Sequence, residues 1–161
     1  MDGERLKGVL ARVQAGELDV DAAARSLEHL PFEDLGFARV DHHRSLRQGL
    51  GEVIFGQGKT VEQVVEIFSA LKREGGPVLA TRLETAAAQA ILDAHPGAEH
   101  HVLARCATWS DGPVPVTGRG KVLVVTAGTS DLPVADEAVV CARHMGNEVD
   151  MLVDVGVAGI H

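Results

Sequence analysis

The chain has 161 residues, 45% hydrophobic and 24% charged, with a formal charge of -8, which suits one or two small soluble domains. That charge excludes broad contact with a nucleic-acid backbone, although a local basic pocket can still hold a small anion. No run of about 18 apolar residues is present to span a membrane, and Met1-Asp2-Gly3-Glu4-Arg5 lacks the basic-then-apolar order of a secretion signal. A cytoplasmic protein with neither nucleic acid nor membrane as a partner is therefore expected. The two cysteines, Cys106 and Cys141, show no CxxC pattern and read as reduced core thiols. Aromatic residues make up only 3%, so the core must be built from Val, Leu, Ile and Ala.

In chain order, Leu6, Val9, Leu10 and Val13 form a short amphipathic stripe that Gly16 ends. Asp19 can cap a second helix with Val20, Ala24 and Leu27 inward. These helices bury little alone and must pack on the next unit or on another subunit. Leu35 to Val40 reads as a strand or extended segment running into Asp41-His42-His43-Arg44, with Arg47 one helical turn beyond Arg44. One reading is a solvated loop held by local Asp–Arg pairing. The other is an anion pocket in which Arg44 and Arg47 share a phosphate or carboxylate. His42-His43 and His100-His101 are poor metal pairs, because adjacent side chains of an extended chain point apart.

Glu52 to Phe55 is the next expected strand, followed by Gly56-Gln57-Gly58-Lys59-Thr60. Thr60 and Gln63 make a capping box, and Val61, Val64, Val65, Phe68 and Leu71 form a strong helical stripe. The P-loop pattern requires Gly where Val53 stands, so what remains is a helix start with Lys59 beside it, a candidate anion site. Val78 to Arg82 is a third strand, and the helix carrying Leu83, Ala87, Ala90, Ile91 and Ala94 closes at His95-Pro96-Gly97. Val102 to Arg105 is expected as a strand, and the stretch through Trp109, Pro113, Pro115 and Gly118 is the best domain boundary.

The strongest signal comes last. Lys121 to Val125 is an apolar, β-branched run ending in Thr126-Ala127-Gly128-Thr129-Ser130-Asp131, after which Val134, Ala138, Cys141, Ala142 and Met145 recur at helical spacing up to Gly146. Val149, Met151, Val153 and Val155 alternate on a second strand that closes on Gly156-Val157-Ala158-Gly159-Ile160-His161. This is a βαβ unit, with ligands expected at the carboxyl ends of its strands. Gly128, Gly156, Ala158 and Gly159 are small enough to let a ligand approach backbone there. The expected divisions are N-terminal helices over 1–30, a small α/β domain over 31–107, a linker over 108–119 and the βαβ unit over 120–161.

Four of these motifs together resemble LarB, the carboxylase and hydrolase of nickel-pincer cofactor biosynthesis, whose C-terminal domain is similar to the PurE-type aminoimidazole ribonucleotide carboxylases. They are Asp41 to Arg44, Gly51 to Thr60, Ala127 to Pro133, and Met145 to Glu148 with Asp154 to His161. The resemblance spans essentially the whole chain. It implies an α/β fold in which a small N-terminal α/β domain precedes the first βαβ of a PurE-like, flavodoxin-like three-layer domain. Proteins of that family continue past the equivalent of His161 and carry a cysteine nucleophile there. The chain therefore reads as a truncated member, inactive by itself.

For the intact enzyme the resemblance implies carboxylation of the pyridinium ring of nicotinic acid adenine dinucleotide by CO2 or bicarbonate, with release of AMP. Magnesium is implied at the phosphoanhydride, and a homo-oligomer is expected. Gly128, Thr129, Ser130 and Asp131 match the superfamily's phosphate and ribose turn, and His161 falls near the histidine of the PurE-type motif. Asp41, His42, Arg44, Arg47 and Lys59 become candidates to close over the substrate's anionic groups from the other domain. A purine-pathway carboxylase and a non-catalytic nucleotide-binding module stay open as alternatives.

Overall fold

The computed structural model describes residues 3–27 and 32–156. Helices α1 (Gly3–Gln14) and α2 (Val20–Ser26) pack on each other, and Asp19 Oδ1 accepts the Ala22 N–H at 2.8 Å to cap the second. Among their described residues only Ala23 is buried, so the pair contributes little core. The stretch expected as one extended segment over 35–40 is instead the end of a hairpin, β1 (Glu33–Asp34) against β2 (Arg39–Val40). The turn forms because Gly36 adopts φ +82° while Asp34 Oδ1 accepts its N–H at 2.8 Å. A one-turn helix, α3 (Arg44–Gln48), follows and ends at Gly49 in the left-handed conformation.

The main sheet has the order β3 (Val53–Phe55), β4 (Val78–Thr81), β6 (Cys106–Trp109), β5 (Glu99–His101). The first two run parallel through the crossover helix α4 (Val61–Arg73), and β6 is antiparallel to both its neighbours. Helix α5 (Thr85–Ala94) lies beside α4, and their buried side chains Val64, Ile67, Phe68, Leu71, Ala88 and Ile91 form one core with Ile54, Val78 and Ala80. The expected strand over 102–105 is a turn, closed by Arg105 N–H to the Val102 carbonyl at 3.2 Å and by Arg105 at φ 53°. Its apolar residues stay outside, Val102 at 74% and Leu103 at 50% exposure, because the pairing of β5 with β6 fixes the hairpin end there.

Strand β7 (Lys121–Val125), a single 3-10 turn (Thr129–Asp131), helix α6 (Leu132–His144) and β8 (Glu148–Leu152) complete the fold, with β7 and β8 parallel from Lys121 opposite Glu148 to Val125 opposite Leu152. The chain is mixed α/β. Helix α6 also covers the face of the main sheet opposite α4 and α5, where Val140, Cys141 and Met145 meet Leu79, Ala104 and Cys106. All four residues of β4 are buried for that reason. Among the described residues no helix is long and apolar enough to cross a membrane.

Among the described residues the far face of the β7–β8 pair carries no such layer. Leu123, Val125 and Leu152 are 57%, 51% and 46% exposed there, and among the described residues neither outer edge of the two strands is paired. Uncovered apolar strands with open edges favour association. Light scattering should accordingly show a weight-average mass that rises with concentration, whereas a concentration-independent monomer would contradict this.

Candidate functional site

The carboxyl ends of β7 and β8 are clipped together. Thr126 is buried; its N–H donates to the Leu152 carbonyl at 3.0 Å, and its hydroxyl accepts the Asp154 N–H at 3.3 Å. The Val155 N–H donates to the Thr126 carbonyl at 3.1 Å and the Gly156 N–H to the Ala127 carbonyl at 3.0 Å. A Cβ at position 156 would lie 2.6 Å from both Cβ and O of Ala127, so glycine is the residue that lets the two loops touch. The result is a surface turn, Gly128 to Asp131, standing at the start of a 13-residue helix. Thr129, Ser130 and Asp131 are exposed, and the positive end of the α6 dipole faces the same point, although the Leu132 N–H is used by the Thr129 carbonyl and Pro133 has none. Asp131 is partly committed: its Oδ2 accepts the Gly128 N–H at 3.2 Å.

The direction of α6 decides what else can share this end. Midway along it, Glu137 receives Arg82 Nε at 2.8 and 2.6 Å, just beyond the carboxyl end of β4. Near its finish, His144 and Met145 border a cavity with Pro77 and Gly51, at the amino ends of β4 and β3. Helix α6 thus runs antiparallel to β4, and the carboxyl ends of β3, β4, β7 and β8 face one way. Lys59 belongs to that end, where its Nζ donates to the Phe55 carbonyl at 2.9 Å. The capping box beside it is present, with Thr60 Oγ1 accepting from Gln63 N–H and Gln63 Oε1 accepting from Thr60 N–H.

Asp41, His42, Arg44 and Arg47 lie at the other end. Asp41 holds Arg47 through contacts of 2.6 and 3.3 Å, accepts the His43 N–H at 3.1 Å, and its own N–H donates to Glu52 Oε2 at 2.6 Å. The hydrogen bonds from Arg47, acting against burial, hold the Asp41 carboxyl below the ordinary carboxylate range. His42 is 3% exposed and meets Glu33 Oε2 at 3.1 Å, while Arg73 reaches Glu33 Oε1 at 2.6 Å. The cluster therefore fastens the hairpin and α3 to the end of α4. Asp41 and His42 also line, with Ser45, Glu52 and Glu74, the cavity of about 330 Å³ that His144 borders. Helix α6, 13 residues at about 1.5 Å each, spans roughly 20 Å from the Gly128 turn to His144 at this cavity.

Within one chain, then, Gly128, Thr129, Ser130, Asp131, Lys59 and Gly156 share an end, and Asp41, His42, Arg44 and Arg47 do not join them. Ala158, Gly159 and His161 lie outside the described residues. Two features have no signal in the sequence. Burial first, then the charge of His101, pushes the His144 imidazole down to about 4 despite a hydrogen bond to the Val78 backbone, and its Nε2 is buried with no partner. The other is the meeting of Cys106 with Cys141, both free thiols. Among the described residues no group of three or more His, Cys, Asp or Glu side chains is placed to hold a metal.

A parallel strand–helix–strand unit with a small-residue turn at its strand ends, set beside a mixed sheet, defines an α/β protein of flavodoxin-like type. Residues 32–111 match the family described as LarB/PurE-like N-terminal domain. An uncharacterized protein of Methanocaldococcus jannaschii is 28% identical over 165 residues, covering 99% of this chain and 64% of that protein. The chain thus spans less than two thirds of that relative. The domain match supports a relationship with the LarB/PurE family, which is enzymatic and of carboxylase type.

Proposed function

We propose that this chain supplies the nucleotide-binding turn of a carboxylase that acts on the pyridinium ring of nicotinic acid adenine dinucleotide, with hydrolysis of its phosphoanhydride and release of AMP, in nickel-pincer cofactor biosynthesis. The observation that carries the reading is the clip of Gly156 on Ala127, which holds Gly128 to Asp131 at the helix start where a phosphate is best stabilised. The match over 32–111 favours this over a purine-pathway carboxylase, which resembles the βαβ part alone.

The chemistry sets what is required. The pyridinium ring is electron-poor, so its C5 attacks CO2 only after a nucleophile such as a thiolate adds at C4 and makes an enamine. Loss of the C5 proton and of the thiol then restores the aromatic ring. Cys106 is fully buried and Cys141 packs against it beneath α6, so neither stands at the turn to play that part. Magnesium, which the resemblance implies, meets no protein cage among the described residues, and no step is assigned to it.

Binding separates the possibilities. Nicotinic acid mononucleotide should bind this chain at least about tenfold more tightly than aminoimidazole ribonucleotide, a difference of roughly 1.4 kcal/mol. This chain by itself should release no AMP from nicotinic acid adenine dinucleotide with bicarbonate. Preference for the imidazole nucleotide would support the purine reading, and binding of neither would reduce the turn to a helix cap.

A further inference from the structure

The two cysteines of the sequence, which the proposed chemistry does not use, meet across the contact between β6 and α6. Cys106 opens β6 with no exposed surface, and its Sγ–H donates to the Ala104 carbonyl at 3.2 Å. Cys141 sits on the inward side of α6, half-buried, between Val140 and the last turn. Leu79, Val53 and Met145 complete an otherwise apolar enclosure. Cys141 keeps part of its surface exposed, while Cys106 keeps none.

We propose that Cys106 and Cys141 are an oxidation site: a dithiol that hydrogen peroxide closes to a disulfide, tying α6 to the main sheet. The division of labour follows from their surroundings. The neighbouring Cys106 side chain, against burial and the charge of Glu137, lowers Cys141 below the usual thiol range. The Cys141 side chain and then burial push Cys106 up, so the pair's negative charge resides on the more accessible sulfur. Arg82, paired with Glu137, offsets part of that carboxylate's repulsion.

In the first step the Cys141 thiolate attacks one peroxide oxygen, the O–O bond breaks, and hydroxide leaves and takes up a proton. Cys141 is then a sulfenic acid. In the second, the Cys106 sulfur attacks Cys141 Sγ, the S–O bond breaks, and the Cys106 proton leaves with the departing oxygen as water. The two thiols give up two electrons and two protons, and one peroxide becomes two waters. Because Cys106 sits on the sheet and Cys141 on the helix that carries the Gly128 turn, the bond would hold that turn's support in place.

Peroxide treatment of the chain, followed by denaturation, alkylation and peptide mapping, tests this. The expected result is loss of both thiols in step, an intact monomer lighter by two hydrogens, and a Cys106–Cys141 linked peptide that dithiothreitol releases. The oxidised chain should also melt at a higher temperature than the reduced one. In Cys106→Ala the reaction should stop at a Cys141 sulfenic acid captured by dimedone; should that variant fail to fold, the parent's linked peptide decides alone. Oxidation of Cys141 with Cys106 still open to alkylation, disulfides only between chains, or retention of both thiols would overturn the proposal.

Discussion

Phe68→Ala should lower the unfolding free energy by about 3–5 kcal/mol, the range for deleting a large ring from a filled core. Phe68 has no exposed surface and lies on the α4 stripe that closes over Ile54 and Ala80. Its ring stacks on His95 at 5.1 Å between centroids, and His95 Nε2 is in turn 3.0 Å from Ser69 Oγ. The surroundings cannot collapse cheaply, because apart from His95 and Trp109 the core around it is aliphatic or alanine and the chain has only four Phe, one Trp and no Tyr. Urea unfolding measures the change as a shift in midpoint. A loss under about 1.5 kcal/mol would mean that the core repacks around the gap and that α4 is not its anchor.

The second large effect is a loss of stability in mild acid. The folded chain resists protonating His144, which burial and His101 push from the ordinary 6.5 to about 4. Between those values the unfolded chain binds a proton that the folded chain refuses, so stability is full above about 6.5 and falls as pH drops toward 4. At 1.36 kcal/mol per pKa unit the ceiling is about 3 kcal/mol, and partial exposure of the ring brings the expected loss to about 1–2 kcal/mol. His95 acts in the same direction, lowered by burial and then by Lys72. Asp41, held down by Arg47, loses its contribution only below the ordinary carboxylate range, in a separate and later step. Denaturation series at pH 7 and pH 4.5 measure the loss, and His144→Gln should remove most of it. A variant that keeps the full pH dependence would assign the effect elsewhere.

What the sequence reveals here is what lies within a turn or two of itself. The α4 stripe and its Thr60–Gln63 capping box are visible because the partners are three residues apart, and the β7–α6–β8 unit because an apolar run and a small-residue turn lead into a helix, although α6 buries Ala135, Val139 and Val140 while Val134 and Ala138 of the expected stripe stay exposed. The local readings failed where long-range pairing decided. Val102-Leu103 has the composition of a strand, yet the register of β5 on β6 makes it an exposed hairpin end. Leu35 to Val40 contains a strand, but Gly36 and Asp34 fold it back on Glu33. The Gly128 turn was legible as a candidate because its residues are contiguous. Its separation from Asp41 was not, since only the direction of α6 across β4 places the two at opposite ends of the sheet.

Calorimetric titration of the chain with nicotinic acid mononucleotide, beside Ser130→Ala and Gly156→Ala, tests the phosphate-binding turn most directly. Loss of one hydrogen bond to a charged group costs about 1.5–3 kcal/mol, so Ser130→Ala should weaken binding roughly ten- to a hundredfold. Gly156→Ala, whose Cβ would stand 2.6 Å from Ala127, should weaken it at least as much by forcing the clipped loops apart. Affinities unchanged by both substitutions would contradict the account and leave Gly128 to Asp131 as a helix cap.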